Sequence, residues 1–182
     1  MSDTLHVVGT FRINLVEDDF CVGCNEPTVD HVCPACGGTE TYTKIVGDSG
    51  WRTNQVTNLG FNEYLVKNLA DGLTGIDVTH VALGTGGVPA ATATLLPGEI
   101  DHAAGSRQAV TAASSSSSKT VRFTATFASA DSKNTATANI SNIGLFQTST
   151  TNVATLFAGN TYNSSSWATN QSVNVTYDIT FS

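Results

Sequence analysis

The chain has 182 residues, of which 40% are hydrophobic and 13% are charged, a balance that supports a sizeable core and excludes wholesale disorder. Only 8 Lys and Arg residues oppose 15 Asp and Glu residues, so the net charge is −7 and a nucleic-acid partner is disfavoured. No apolar stretch approaches the ~18 residues of a membrane span and no secretory signal is visible, so we expect no membrane partner and, if the protein leaves its cell, export inside a particle.

The first 46 residues differ in composition from the rest of the chain. They hold seven acids, two bases and all four cysteines, whereas Ser, Thr, Asn, Ala and Gly dominate from residue 47 onward. The tetrapeptide Gly-Asp-Ser-Gly at 47–50 is a flexible turn former. We therefore predict an N-terminal module over 1–46, a linker over 47–50 and a larger domain over 51–182. Short strands are expected in the module, at residues 5–8, 11–16 and 39–46.

The four cysteines form two C-x-x-C pairs, Cys21/Cys24 and Cys33/Cys36, with eight residues between them. Each pair can fold into a tight knuckle, and two facing knuckles make a tetrahedral site for a structural Zn²⁺. The second pair, Cys-Pro-x-Cys-Gly, resembles the zinc-ribbon family. Two disulfides or two redox pairs are the alternatives. His31 could replace one cysteine as a ligand, but four cysteines complete a closed site, so a surface or supporting histidine is favoured.

The start of the larger domain has helical periodicity. Asn58 is the expected N-cap and Gly72 the expected stop. The apolar positions between them lie at helical spacing: Leu59, Leu65, Val66 and Leu69. The pattern predicts one helix of about twelve residues, the only long helix of the chain.

Everything after this helix has the pattern of strands and loops. Strands are predicted at residues 78–84, 109–112, 119–128, 136–147, 153–160 and 172–181. Two of them alternate apolar and polar residues, which indicates one buried and one solvated face. The inward residues are Val121, Phe123, Ala125 and Phe127 in one strand and Val173, Val175, Tyr177, Ile179 and Phe181 in the other. Short strands between polar turns predict a mainly β domain, an antiparallel sandwich or jelly roll, with one helix and a preceding zinc ribbon.

The order of several segments resembles small structural proteins of tailed viruses, found among tail-fibre, head-fibre and capsid-decoration proteins. The segments are 56–60 (Val-Thr-Asn-Leu-Gly), 78–86, 89–100 with Arg107, 121–127, 143–146 (Ile-Gly-Leu-Phe), 156–158 and 175–181. The resemblance covers residues 51–182 and implies a β-rich virion module. The zinc ribbon lies outside it, and its fusion to such a module is more typical of an archaeal virus. The low number of Lys and Arg residues fits a haloarchaeal host.

The resemblance implies a virion structural protein, with the capsid exterior favoured as its place, as a decoration or turret protein. A tail-fibre or baseplate component that contacts the host is the alternative. A symmetric homo-oligomer, a trimer or pentamer, is expected, together with contacts to other virion proteins such as the major capsid protein. The acidic zinc module is interpreted as the anchor to another virion component, with Phe11, Ile13 and Phe20 in the contact.

Two further functions have less support from the sequence. A cellular zinc-ribbon regulator that binds nucleic acid lacks the expected basic stripe. Acid–base chemistry by Glu99, Asp101 and His102 is disfavoured, because in the family pattern this stretch is the loop after a Pro-rich turn. We therefore expect no catalytic residues and no enzymatic activity.

Overall fold

A computed structural model describes residues 6–69, 76–101, 107–114, 118–131 and 133–182. Strands make up 51% and helix 9%, so the prediction of a mainly β, antiparallel protein with one helix is confirmed. The strands, in chain order, are β1 Val7–Cys21, β2 Thr41–Asp48, β3 Arg52–Val56, β4 His80–Gly84, β5 Gln108–Ala109, β6 Thr111–Ala113, β7 Thr120–Phe127, β8 Ala138–Phe146, β9 Leu156–Trp167 and β10 Gln171–Phe181.

The strands form one antiparallel sheet that is nearly closed into a barrel. The expected sandwich or jelly roll is therefore built from a single sheet that curves back on itself. The strand order is β5-β4-β8-β9-β3-β1-β10-β7-β6, and β2 pairs with β1 outside this path. The two end strands, β5 and β6, are separated in the chain by Val110 alone. The chain thus passes directly from one end of the sheet to the other, and both end strands are very short, which limits the unpaired edge.

The predicted alternation of β7 and β10 is confirmed. Phe123, Ala125 and Phe127 of β7 are buried, and the residues between them are exposed. In β10 the buried apolar residues are Val173, Val175, Tyr177 and Ile179. The two strands pair in a register that places Tyr177 opposite Phe123 and Val173 opposite Phe127. Paired large side chains on one face are what stabilises such a sheet, so these strands form the main wall of the core.

Strand β1 crosses the predicted division of the chain. It pairs with β10 on one side and with β3 and β2 on the other, so it lies in the middle of the sheet. Phe11 and Ile13 are exposed by only 0% and 3%. The boundary after residue 46 is therefore wrong for residues 7–21, because these residues complete the core of the barrel. The two strands expected in this region are one strand, and residue 5 lies outside the described residues.

The predicted linker is also part of the sheet. Residues 47 and 48 belong to β2. Arg12 of β1 donates from Nε to Oδ1 of Asp48 at 3.0 Å. Ser49 Oγ accepts a hydrogen bond from the backbone N–H of Ile13 at 2.9 Å, and the Ser49 N–H donates to the Ile13 carbonyl at 2.9 Å. These bonds hold the segment against β1, so it does not act as a free hinge between two bodies.

The helix begins one residue earlier than expected. Thr57 Oγ1 accepts a hydrogen bond from the Gly60 N–H at 3.0 Å, so Thr57 rather than Asn58 is the capping residue. The Thr57 hydroxyl also lies 2.6 Å from the Leu156 carbonyl, which ties the helix start to β9. The expected stop, Gly72, lies outside the described residues.

The helix has a wider turn than an α-helix. It is π-helical over Gly60–Val66 and α-helical over Lys67–Leu69. Tyr64 is buried against Phe157 at a ring-centroid distance of 5.0 Å, whereas Val66 is 56% exposed, so the predicted apolar face is wrong at Val66. Among the described residues, no helix has the length and apolar character needed to cross a membrane.

Candidate metal centre

The cysteines lie at the end of a hairpin that extends the middle of the sheet. Cys21 is the last residue of β1 and pairs with Thr41, the first residue of β2, so the hairpin closes at this pair. Residues 22–40 are the connection between these strands and carry the other three cysteines. We call residues 17–46 the arm. The cysteine module is therefore an insertion at the tip of a barrel hairpin rather than a separate N-terminal body.

The four sulfurs converge on one point. The Sγ atoms of Cys24 and Cys33 are 3.1 Å apart, those of Cys21 and Cys36 are 3.4 Å apart, and those of Cys24 and Cys36 are 3.5 Å apart. All four ligand atoms lie within 4.8 Å of one another. The thiols are free, and these separations exceed the ~2.05 Å of a disulfide bond. The structure thus brings all four predicted ligands together as a cluster that is compatible with a metal site.

The two knuckles have the same backbone geometry, twelve residues apart. The Cys21 N–H donates to the Glu26 carbonyl and the Cys33 N–H to the Gly38 carbonyl, each at 2.9 Å. A second pair of equivalent bonds runs from Asn25 to the Cys21 carbonyl and from Gly37 to the Cys33 carbonyl, at 3.0 and 2.8 Å. The cluster is therefore built from two copies of one turn that face each other.

The left-handed residue after each pair is a signal that the cysteine spacing alone did not reveal. Asn25 and Gly37 have φ values of 58° and 69°. Glycine and asparagine are the residue types that tolerate this conformation best. The pattern C-x-x-C-Asn/Gly, repeated after twelve residues, could have predicted both the turns and the role of Asn25. The hydroxyl of Tyr42 also donates to the Asn25 side chain, which fixes the first knuckle to β2.

Backbone amides around the sulfurs favour negative charge. The Cys24 N–H is the main cause of the lowered pKa of Cys21. The thiol of Cys24 and the N–H of Cys36 lower the pKa of Cys33 to about 7, and the same contact with Cys33 raises the pKa of Cys24 to about 12. Hydrogen bonds to the thiolate stabilise it over the thiol. The first cysteine of each pair therefore ionises most readily, and the thiolate is the form that binds metals.

The base of the arm is held by aromatic and polar contacts. The Phe20 ring lies 6.2 Å from the Tyr42 ring, and the Lys44 ammonium lies 4.6 Å above the Phe20 ring. Thr28 donates from its N–H and its hydroxyl to the carbonyl of Asp19, both at 2.7 Å. Phe20 is only 8% exposed. These contacts orient the connection on β1 and β2.

His31 lies away from the sulfur cluster. It sits with Asp30 in a tight turn between Val29 and Val32, and both turn residues have positive φ. Its Nδ1 is 2.8 Å from Oδ1 of Asp19, and the side chain is 74% exposed. The structure therefore places His31 at the surface of the arm, and among the described residues the group of side chains that could hold a metal contains only cysteines.

Glu99 and Asp101, two of the residues named above for acid–base chemistry, are engaged in other contacts. Arg107 binds Glu99 through two hydrogen bonds, Nε to Oε1 at 2.7 Å and Nη2 to Oε2 at 3.0 Å, and the side chains are 0% and 5% exposed. The guanidinium lies 3.6 Å from the centre of the Phe146 ring. Asp101 accepts a hydrogen bond from Thr151, and His102 lies outside the described residues. The geometry makes Glu99 part of a buried ion pair.

Four sulfur ligands define which chemistry the cluster can support. A tetrahedral ion with metal–sulfur bonds of ~2.3 Å places its sulfurs ~3.8 Å apart, close to the separations described above. Soft thiolates in this number select zinc or iron. Four protein ligands leave no open position for a substrate. The site therefore suits a metal that stabilises the arm.

Comparisons of the chain with protein-family models, with curated proteins and with solved structures found no match.

Proposed function

We propose that Cys21, Cys24, Cys33 and Cys36 bind one structural Zn²⁺. The observation that carries this proposal is the convergence of the four sulfurs within 4.8 Å. The connection of residues 22–40 contains few buried apolar residues, so it depends on the metal for its folded shape. Bound zinc would supply four metal–thiolate bonds that hold the two knuckles face to face.

We further propose that the chain is a non-enzymatic structural protein of a tailed virus, located in the virion and assembled in the host cytoplasm. The support is the resemblance of residues 51–182, whose matching segments include parts of β4, β7, β8, β9 and β10, strands that contribute side chains to the core. The buried Glu99–Arg107 pair also gives a structural role to two residues of the resembling pattern, which includes 89–100 and Arg107. A capsid decoration or turret protein is the favoured assignment, and a tail-fibre or baseplate component is the alternative.

In this proposal the barrel forms the homotypic contacts of a trimer or pentamer, and the arm docks on another virion protein such as the major capsid protein. The apolar residues first assigned to this contact are unsuitable, because Phe11, Ile13 and Phe20 are at most 8% exposed. The exposed apolar residues of the arm replace them: Val22, Val29, Val32, Tyr42, Ile45 and Val46. The docking role therefore shifts from the barrel strand to the connection and β2.

Elemental analysis of purified protein tests the metal, and a zinc-to-chain ratio near one is expected. Iron in place of zinc, or a ratio near zero, contradicts the zinc assignment. The virion role is tested by counting copies in purified particles: many copies indicate decoration, a few indicate a tail or vertex position, and none contradicts the proposal.

Docking by the arm needs a variant that keeps β1. Because Cys21 pairs directly with Thr41, residues 22–40 can be replaced by Asn-Gly, a two-residue turn suited to antiparallel strands, with Cys21→Ser. The same variant carries Ile45→Lys and Val46→Lys, because these exposed apolar residues of β2 would otherwise remain available for docking. The variant should remain folded and oligomeric by circular dichroism and light scattering but should no longer enter particles. Normal incorporation would show that the arm is not the anchor.

A further inference from the structure

In the described part of the chain, the outer edge of β2 has no strand paired with it. Strand β2 pairs with β1 on one side, and within the described ranges no strand pairs with its other side. Strand β3 continues along the same side of β1 after β2 and turns to pair with β9, so it leaves the β2 edge open. Unpaired N–H and C=O groups along a strand edge are a template for another strand.

Exposed apolar side chains lie on and around this edge. In β2, Tyr42, Ile45 and Val46 are 37%, 56% and 40% exposed. The connection adds Val22 and Val29, which are 57% and 66% exposed. The arm thus holds six of the thirteen exposed large hydrophobic residues of the described chain, although it is less than a fifth of that length. Such clustering marks an interaction surface rather than scattered surface residues.

The charge of the arm decides whether a second copy of the chain or a segment of another protein would pair with the β2 edge. The arm carries one ammonium group, that of Lys44, and six carboxylates: Glu17, Asp18, Asp19, Glu26, Asp30 and Glu40. Four thiolates around Zn²⁺ would add about −2. A second copy would bring an equally negative arm to the same edge, which is unfavourable. A basic segment would be attracted and would compensate the carboxylates.

We propose that the outer edge of β2 takes up an extended, basic segment of another protein by strand addition. The segment pairs with the β2 backbone, its apolar side chains contact Ile45 and Val46, and its Lys or Arg residues face the carboxylates of the arm. This inference rests on the docking role proposed above and specifies the chemistry of the partner.

The test uses the full-length, zinc-loaded protein and labelled eight-residue peptides, the length of β2. The probe is acetylated and amidated (Lys-Val)4. The controls are (Glu-Val)4 and a (Lys-Val)4 in which every backbone amide is N-methylated, which keeps the charge and removes the N–H donors of both strand edges. Fluorescence anisotropy should show binding of (Lys-Val)4 and at least ~10-fold weaker binding of both controls, a difference of about 1.4 kcal/mol.

A matched pair of variants locates the binding surface. Ile45→Lys places a charge on the edge, a substitution that natural edge strands use against pairing, and should weaken binding at least ~10-fold. Val88→Lys is the control, because Val88 is 57% exposed, as Ile45 is 56% exposed, and lies outside the arm. It should leave binding unchanged. Circular dichroism confirms that both variants are folded.

Three results would overturn strand addition: no binding of (Lys-Val)4, equal binding of the N-methylated peptide, or equal effects of the two variants. Dimerisation that Ile45→Lys abolishes would also overturn it, because a second copy would then occupy the edge. The proposed docking role fails separately, through normal particle incorporation of the variant that lacks residues 22–40 and carries Ile45→Lys and Val46→Lys. Loss of incorporation without peptide binding would leave that role intact and reject only strand addition.

Discussion

The buried pair of Glu99 and Arg107, which lies against Phe146 in an apolar cluster separate from the main core, allows a quantitative test of what burial does to an ion pair. The guanidinium is fully buried and donates to both carboxylate oxygens, and it also donates to the carbonyls of Thr148 and Val153 at 3.3 and 3.2 Å. Glu99→Gln keeps the shape of the side chain and removes its charge. The guanidinium then remains buried with neutral partners only, so we expect a large loss of stability.

The expected magnitude follows from the burial. Removal of one partner of a buried ion pair costs about 3–5 kcal/mol, because the remaining charge is uncompensated. This is a large part of the about 5–15 kcal/mol that stabilises a typical domain. In a chain of this size each kcal/mol lowers Tm by about 2–4 °C, so the variant should melt about 6–20 °C lower. The double variant Glu99→Leu/Arg107→Met removes both charges and should recover at least half of the loss.

Urea and thermal unfolding, followed by circular dichroism, measure these differences. Asp178→Asn is the matched control: Arg122 binds Asp178 with the same two-bond geometry, at 2.8 and 2.7 Å, but the Arg122 side chain is 53% exposed. A surface pair contributes at most about 1 kcal/mol. If Glu99→Gln costs no more than Asp178→Asn, the argument from burial is refuted and a chemical role for Glu99 must be reconsidered.

Two further predictions concern the metal cluster and the core. Cys33→Ser should reduce the zinc-to-chain ratio from about one to near zero, and hydrogen exchange should then accelerate in residues 22–40 while β10 stays protected; loss of protection throughout the barrel would contradict the assignment of the cysteines to a hairpin tip. Phe127→Ala removes a residue that is 1% exposed and whose ring lies edge-to-face with that of Trp167, at a centroid distance of 5.8 Å. It should lower the free energy of unfolding by about 3–5 kcal/mol. The neighbouring exposed residue is the control: Thr126→Ala removes one exposed hydrogen bond, to Oδ1 of Asn174, and should cost at most about 1 kcal/mol; similar losses for both would contradict the inward orientation of β7.

The sequence alone was sufficient for features that depend on local periodicity. Alternation in β7 and β10 predicted which side chains face the core, because successive side chains of a strand point to opposite faces. The spacing of the two C-x-x-C pairs predicted that the four sulfurs would converge, because each pair specifies its own turn. The helix was predicted close to its described position for the same reason. Its capping residue is Thr57 rather than Asn58, and Val66 does not belong to its buried face.

Only the tertiary structure decided which segments lie side by side. The change of composition at residue 47 suggested a boundary, yet β1 lies between β3 and β10, because strand partners are chosen by long-range packing that composition does not record. The burial of Phe11 follows from that choice. So does the pairing of Glu99 with Arg107, since each side chain needs the other once both leave water. The open edge of β2 likewise exists because β3 turns away to β9, a consequence of sheet closure that no local pattern contains.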